Sequence, residues 1–115
     1  MTDEAINKAI AEFDGYKSVV FNKGWKGWIF ARNSEVQVNI PDYCNDSNAM
    51  AKAKNLLTGD KRREFIDYLY EIVSEVVKQD KNINAGPYSV MIEAFYATAK
   101  QQAIAFVKTI GKWKK

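Results

Sequence analysis

The chain contains no histidine and a single cysteine, Cys44. The first absence removes every Ser–His, Cys–His and zinc–histidine arrangement, and with them the commonest general base at neutral pH. The second removes an internal disulfide and a thiolate metal cage, which makes a reducing, intracellular compartment the simpler expectation. The glycines, at 15, 24, 27, 59, 86 and 111, form neither a Walker loop nor a dinucleotide fingerprint. No apolar run approaches the ~18 residues that a membrane span needs. The opening Met-Thr-Asp-Glu is acidic where a signal peptide is basic and then apolar. Catalysis would have to rest on carboxylates, Lys, Tyr, Ser or Thr. No catalytic set, metal site or cofactor is expected.

What is present suffices for one domain with a core: 115 residues, 47% of them hydrophobic and 13% aromatic. The formal charge of +3 comes from 17 basic and 14 acidic residues. Four of the lysines (Lys108, Lys112, Lys114 and Lys115) fall within residues 108–115, where there is no acid. Positions 1–107 therefore hold 13 basic against 14 acidic residues, or −1. The basic character belongs to a C-terminal tail, so it is weak evidence for a nucleic-acid face.

Periodicity predicts a helix over Thr2–Phe13, capped by Thr2, with Ile6, Ala9, Ile10 and Phe13 on one inward face and Asp14-Gly15 as its stop. Residues 16–40 read as two or three antiparallel strands. Their pieces are Val19–Phe21, Gly27–Arg32 and Glu35–Ile40, with turns at Asn22-Lys23-Gly24 and Asn33-Ser34. The last piece alternates as a strand with one covered face does. Asn45 or Asp46 starts a second helix that buries Ala49, Met50, Ala53, Leu56 and Leu57. A third, over Asp60–Gln79, carries Phe65, Ile66, Leu69, Ile72, Val73 and Val76. Residues 80–87 read as a loop and Ser89–Tyr96 as a strand. Thr98-Ala-Lys-Gln101 is a capping box opening a last helix at 99, with Ala103, Phe106, Val107 and Ile110 inward and Gly111 ending it. Trp113 is placed to fold back onto the body while its neighbouring lysines stay solvated. The fold class is α+β: a small, mostly antiparallel sheet sandwiched by helices, in the order α-β-β(-β)-α-α-β-α.

Two segments add a resemblance. Pro41-Asp-Tyr-Cys-Asn-Asp-Ser-Asn-Ala-Met50, followed by Ala53 and Leu57-Thr58, is similar to the central signature of the phage ABA-sandwich domain family. The closing Phe95–Trp113 segment and the opening Ile6–Tyr16 segment resemble that family's ends. The sequence departs from the pattern at Asp14, Cys44 and Gln102 and in a longer loop at 80–88. The resemblance implies a small phage or prophage protein with helices on both sides of a sheet. The family has no assigned activity, so no catalytic residue is carried over.

Three polar or aromatic groups stand out as candidate sites. Asp42, Tyr43, Asn45, Asp46, Ser47 and Asn48 form the densest polar cluster. The spacing is not that of an EF-hand and no glycine makes the sharp turn. A loop and helix cap explains the cluster better than a cation or acid–base site, while Asp42, Asn45, Asp46 and Ser47 stay candidates for weak anion binding at a helix N-terminus. Lys23, Trp25, Lys26, Trp28 and Arg32 interleave cations with aromatics, the composition of a base-stacking platform and equally of a protein-binding hot spot. One tryptophan in the core and one at its rim is the competing explanation. Tyr68 and Tyr70 lie on the third helix, where Tyr68 is either a partner contact or an amphipathic edge. Lys61-Arg62-Arg63 opposes that helix's dipole. Cys44, between two aspartates, is expected to have a raised thiol pKa and no nucleophilic role.

These readings favour a non-enzymatic phage or prophage accessory protein that acts in the host cytoplasm by binding a host or viral protein, with interference in host defence as one role. Nucleic-acid binding through the aromatic and basic surface is the alternative. A small-molecule pocket on the sheet or at the start of the second helix comes third. No membrane partner is expected, and the oligomeric state stays open.

Overall fold

The computed structural model describes residues 1–20, 24, 26–30, 34–79 and 97–114, with 76–79 described by backbone alone. Helix α1 spans Asp3–Asp14. The Thr2 hydroxyl accepts the Ala5 N–H, Asp3 and Glu4 sit at the positive end of the dipole, and Gly15 closes the helix in the left-handed region at φ +116°. Three antiparallel strands follow, β1 (Tyr16–Val20), β2 (Lys26–Phe30) and β3 (Val36–Gln37), in the spatial order β1-β2-β3. Tyr16 pairs with Phe30 and Val20 with Lys26, while Trp28 faces both Ser18 and Gln37. Helix α2 (Ser47–Lys54) is capped by the Asp46 carboxylate, which accepts from the N–H groups of Asn48 and Ala49. Helix α3 spans Gly59–Gln79. Helix α4 (Ala99–Thr109) opens on the full Thr98–Gln101 capping box. The protein is a mixed α+β fold with four helices and a three-stranded antiparallel sheet among its described residues.

The core gathers around α4, which packs on α1, α2 and α3. Ala103, Ala105, Phe106 and Val107 are fully buried there against Ile6, Ile10 and Ala11 of α1, Met50 of α2 and Phe65 of α3. Small residues at 99, 103 and 105 let the other helices approach, and Phe106 fills the space they leave. Each fully buried large side chain contributes about 1.5–3 kcal/mol of transfer free energy. The sheet joins through β1, which meets α1, and through Tyr16, stacked on Phe30 at 4.6 Å between ring centres. Two contacts bind distant parts of the chain to α4. Asp3 pairs with Lys100, and the Lys61 ammonium donates to the Thr109 carbonyl at 3.3 Å. The second contact explains a cation in the first turn of α3, because Lys61 serves the negative end of a neighbouring helix.

The structure corrects four sequence expectations. Phe13 is not buried: it is 47% exposed, resting edge-on against Phe106 at 5.5 Å, because α4 meets the Ile6–Ile10 side of α1 and leaves Phe13 at the rim. Ile66 is also mostly exposed, about 100° round the helix from Phe65 and outside the arc that α4 covers. The strand expected over Glu35–Ile40 forms only at Val36–Gln37, with one further bond in register from the Phe30 N–H to the Glu35 carbonyl at 3.0 Å. Val36 and Val38 are exposed, since no described helix covers that side of β3. The loop at 80–87 and the strand at Ser89–Tyr96 lie outside the described residues.

Candidate functional site

The polar loop between β3 and α2 is a closed hydrogen-bond network. The Asp42 carboxylate accepts from the Asn7 amide at 3.0 Å and from the Asn45 amide at 3.0 and 3.2 Å. The Asn7 carbonyl oxygen in turn accepts the Cys44 backbone N–H at 3.0 Å. These donors hold the Asp42 carboxyl below its usual pKa, the Asn45 bond contributing most and Asn7 next. Asp46 is committed to its cap, at 2.9 and 3.2 Å from the Asn48 and Ala49 N–H groups. Asn45 and Ser47 are exposed. The arrangement ties a loop to α1 and starts α2. Among the described residues no three His, Cys, Asp or Glu side chains converge as a metal site would require.

Cys44 and Tyr43 are buried beneath this loop. Burial, with the Asp42 charge second, pushes the Cys44 thiol up to about 11, so it is protonated at neutral pH and chemically quiet. The Tyr43 hydroxyl donates to Asp14 Oδ2 at 3.4 Å. Desolvation and then the Asp14 charge raise its pKa, as they do less strongly for Tyr16. Tyr16, Phe30, Tyr43, Asp14 and Asp46 line a cleft of about 460 Å³ between the sheet and the start of α2. Its rings are largely buried or stacked on one another, which leaves little aromatic surface facing the opening.

Of the aromatic and basic group, Lys23, Trp25 and Arg32 lie outside the described residues. Lys26 is exposed, and Trp28 is half-buried against the core. Strand alternation puts these two on the face that carries Tyr16 and Phe30. The opposite face presents Lys17, Val19, Ile29 and Val36, with Ile29 directly across from both Lys17 and Val36. Val36 is 52% exposed, and Val38, just past the ladder, 65%. This apolar cross-strand row was hidden from sequence reasoning, although the alternation of Glu35–Ile40 carried its signal. Tyr68 is half-buried and shares a hollow of about 300 Å³ with Lys108, Gly111 and Trp113. The Lys108 ammonium lies 5.4 Å from the Trp113 ring centre, a cation–π contact that holds the folded-back tail. Trp28 and Tyr68 thus touch the same core but border different surface features.

No family model, no curated protein and no solved structure matches the chain. Among the described residues, no helix is long and apolar enough to cross a membrane.

Proposed function

We propose that the protein is a non-enzymatic accessory protein that works by binding a protein partner through the outer face of its sheet. The observation that carries this reading is the cross-strand row Val19–Ile29–Val36, in which Val19 and Ile29 are half-buried and Val36 is exposed, beside the exposed Lys17 and with the exposed Val38 just past the ladder. The apolar area that Val36 and Val38 expose, with what Val19 and Ile29 leave uncovered, gains free energy when another protein covers it, at roughly 25 cal/mol per Å². The polar loop argues the same way, because Asp42 and Asp46 are occupied in fixing α1 to α2 and Cys44 is buried. The similarity of Pro41–Met50 and Phe95–Trp113 to the phage ABA-sandwich signature supports a setting in the cytoplasm of an infected host, with a host or viral protein as partner and defence modulation as one outcome. A second reading, nucleic-acid binding, draws on the exposed Lys26 beside Trp28 and on the exposed Lys112 and Lys114 of the tail.

The test uses the intact protein and a Val36→Glu/Val38→Glu variant as baits in host lysate, with and without nuclease, after both give the same circular dichroism spectrum. A stoichiometric, nuclease-resistant partner lost by the variant supports the first reading. A catch that disappears with nuclease and weakens steeply with salt transfers the weight to nucleic acid.

A further inference from the structure

A second surface, separate from the sheet, lies where α1 meets the C-terminal tail. Met1, Ala5, Ala9 and Phe13 of the N-terminal helix region and Ile110 floor a groove of about 490 Å³, and Lys8, Glu12, Lys112 and Lys114 rim it. The floor runs along two turns of α1, about 12 Å from Ala5 to Phe13 at 1.5 Å per residue. Phe13 is anchored by its edge contact with Phe106 yet remains 47% exposed, so its outward surface is held ready.

The rim is held in place by the turn that ends α4. The Gly111 N–H bonds the Lys108 carbonyl at 3.2 Å and the Lys112 N–H bonds that of Val107 at 3.0 Å, the Schellman arrangement, with Gly111 at φ +75°. Trp113 then packs against the core under Lys108. With Trp113 turned inward, Lys112 and Lys114 flank it and both border the groove. Glu12 is partnered by Lys8 at 4.0 Å, so the two tail lysines carry the rim's unmatched positive charge among the described residues.

We propose that this groove docks an acidic amphipathic helix of a protein partner. Its apolar anchors would seat on Ala5, Ala9, Phe13 and Ile110, and its carboxylates would face Lys112 and Lys114. The concave apolar strip suits side chains at i, i+4 and i+7 of a docked helix, and the tail supplies the charge complementarity that fixes polarity and partner sign.

The probe is a fluorescein-labelled peptide of about 16 residues with leucines at i, i+4, i+7 and i+11 and glutamates on its other face, titrated against the full chain by fluorescence anisotropy. Binding is expected to weaken when salt rises from about 50 to about 300 mM. Phe13→Ser and the Lys112→Glu/Lys114→Glu double variant are each expected to lose at least tenfold in affinity, roughly 1.4 kcal/mol. The double variant changes only exposed side chains, so its fold is retained. A peptide with lysine in place of every glutamate should ignore the wild type and bind the double variant. The proposal is overturned if the acidic peptide does not bind, if both peptides bind equally, or if the double variant binds the acidic peptide as the wild type does. Capture by phosphatidylglycerol–phosphatidylcholine vesicles without peptide binding overturns it in favour of a membrane surface.

Discussion

Asn7 and Asp42 are 35 positions apart in the chain and meet at 3.0 Å, amide to carboxylate. With its other atom Asn7 accepts the Cys44 N–H, so one side chain of α1 fixes both the charge and the backbone of the loop that starts α2. Replacing it by alanine leaves the Cys44 N–H without its acceptor and takes a donor from Asp42. A loss of about 1–3 kcal/mol is expected, read as a lower denaturant midpoint with the slope unchanged. Asn7→Asp should lose as much at neutral pH, where two carboxylates face each other, and recover part of it near pH 4. Equal deficits at both pH values would show that repulsion between the two carboxylates is not what destabilises the variant.

Acid should unfold the protein partly through Asp42. Its folded pKa lies below the ordinary 3.8, so its contribution is complete above the unfolded value and lost as pH falls through the folded one. Asp42→Asn removes a titrating group while keeping a side chain of similar shape. Its stability profile between pH 5 and pH 2 should be flatter than the wild type's. A profile parallel to the wild type's would assign acid sensitivity to other carboxylates.

Alkali acts through Cys44 in the opposite sense. Burial pushes the folded thiol up to about 11 from its ordinary 9.0. The stabilising difference is therefore fully present below about pH 9 and fades as pH climbs towards 11. Ellman's reagent at pH 8 should label the native protein far more slowly than the denatured one. Rapid labelling of the native protein would mean that the loop opens readily.

Two helix ends offer a matched pair of stability measurements. Thr98→Ala breaks the capping box and should cost about 1 kcal/mol. Gly111→Ala meets no atom within 4 Å of the new methyl, so its cost of about 1–2 kcal/mol comes from the left-handed backbone alone. If Gly111→Ala also weakens the acidic peptide, the turn at 111 sets the position of the tail lysines.

These two ends were readable in the sequence because their causes are local: a threonine with glutamine three positions on, and a glycine after the last buried residue. A cap at Asn45 or Asp46, the order of the described helices and strands and the α+β class were legible for the same reason. Asn7 was not, since its partners lie 35 and 37 residues away and nothing in Ile-Asn-Lys marks them. Lys61 looked misplaced until Thr109 supplied its carbonyl from 48 residues on. Phe13 and Val36 carried correct apolar periods, yet a period says only that residues share a face. Whether that face is covered depends on where α4 lies and how far β3 pairs.

The central position of α4 bears on how the protein is made. Ile6 and Ile10 find their buried neighbours in Phe106 and Val107, and Asp3 finds its ion pair in Lys100, 97 positions later. During translation the first helix therefore leaves the ribosome long before its packing surface exists. Its apolar side must wait in the open until residues 106 and 107 have emerged. Such long-range closure slows the final folding step. It also leaves a truncated chain lacking α4 with an uncovered Ile6–Ile10 stripe, ready to be recognised by chaperones or proteases.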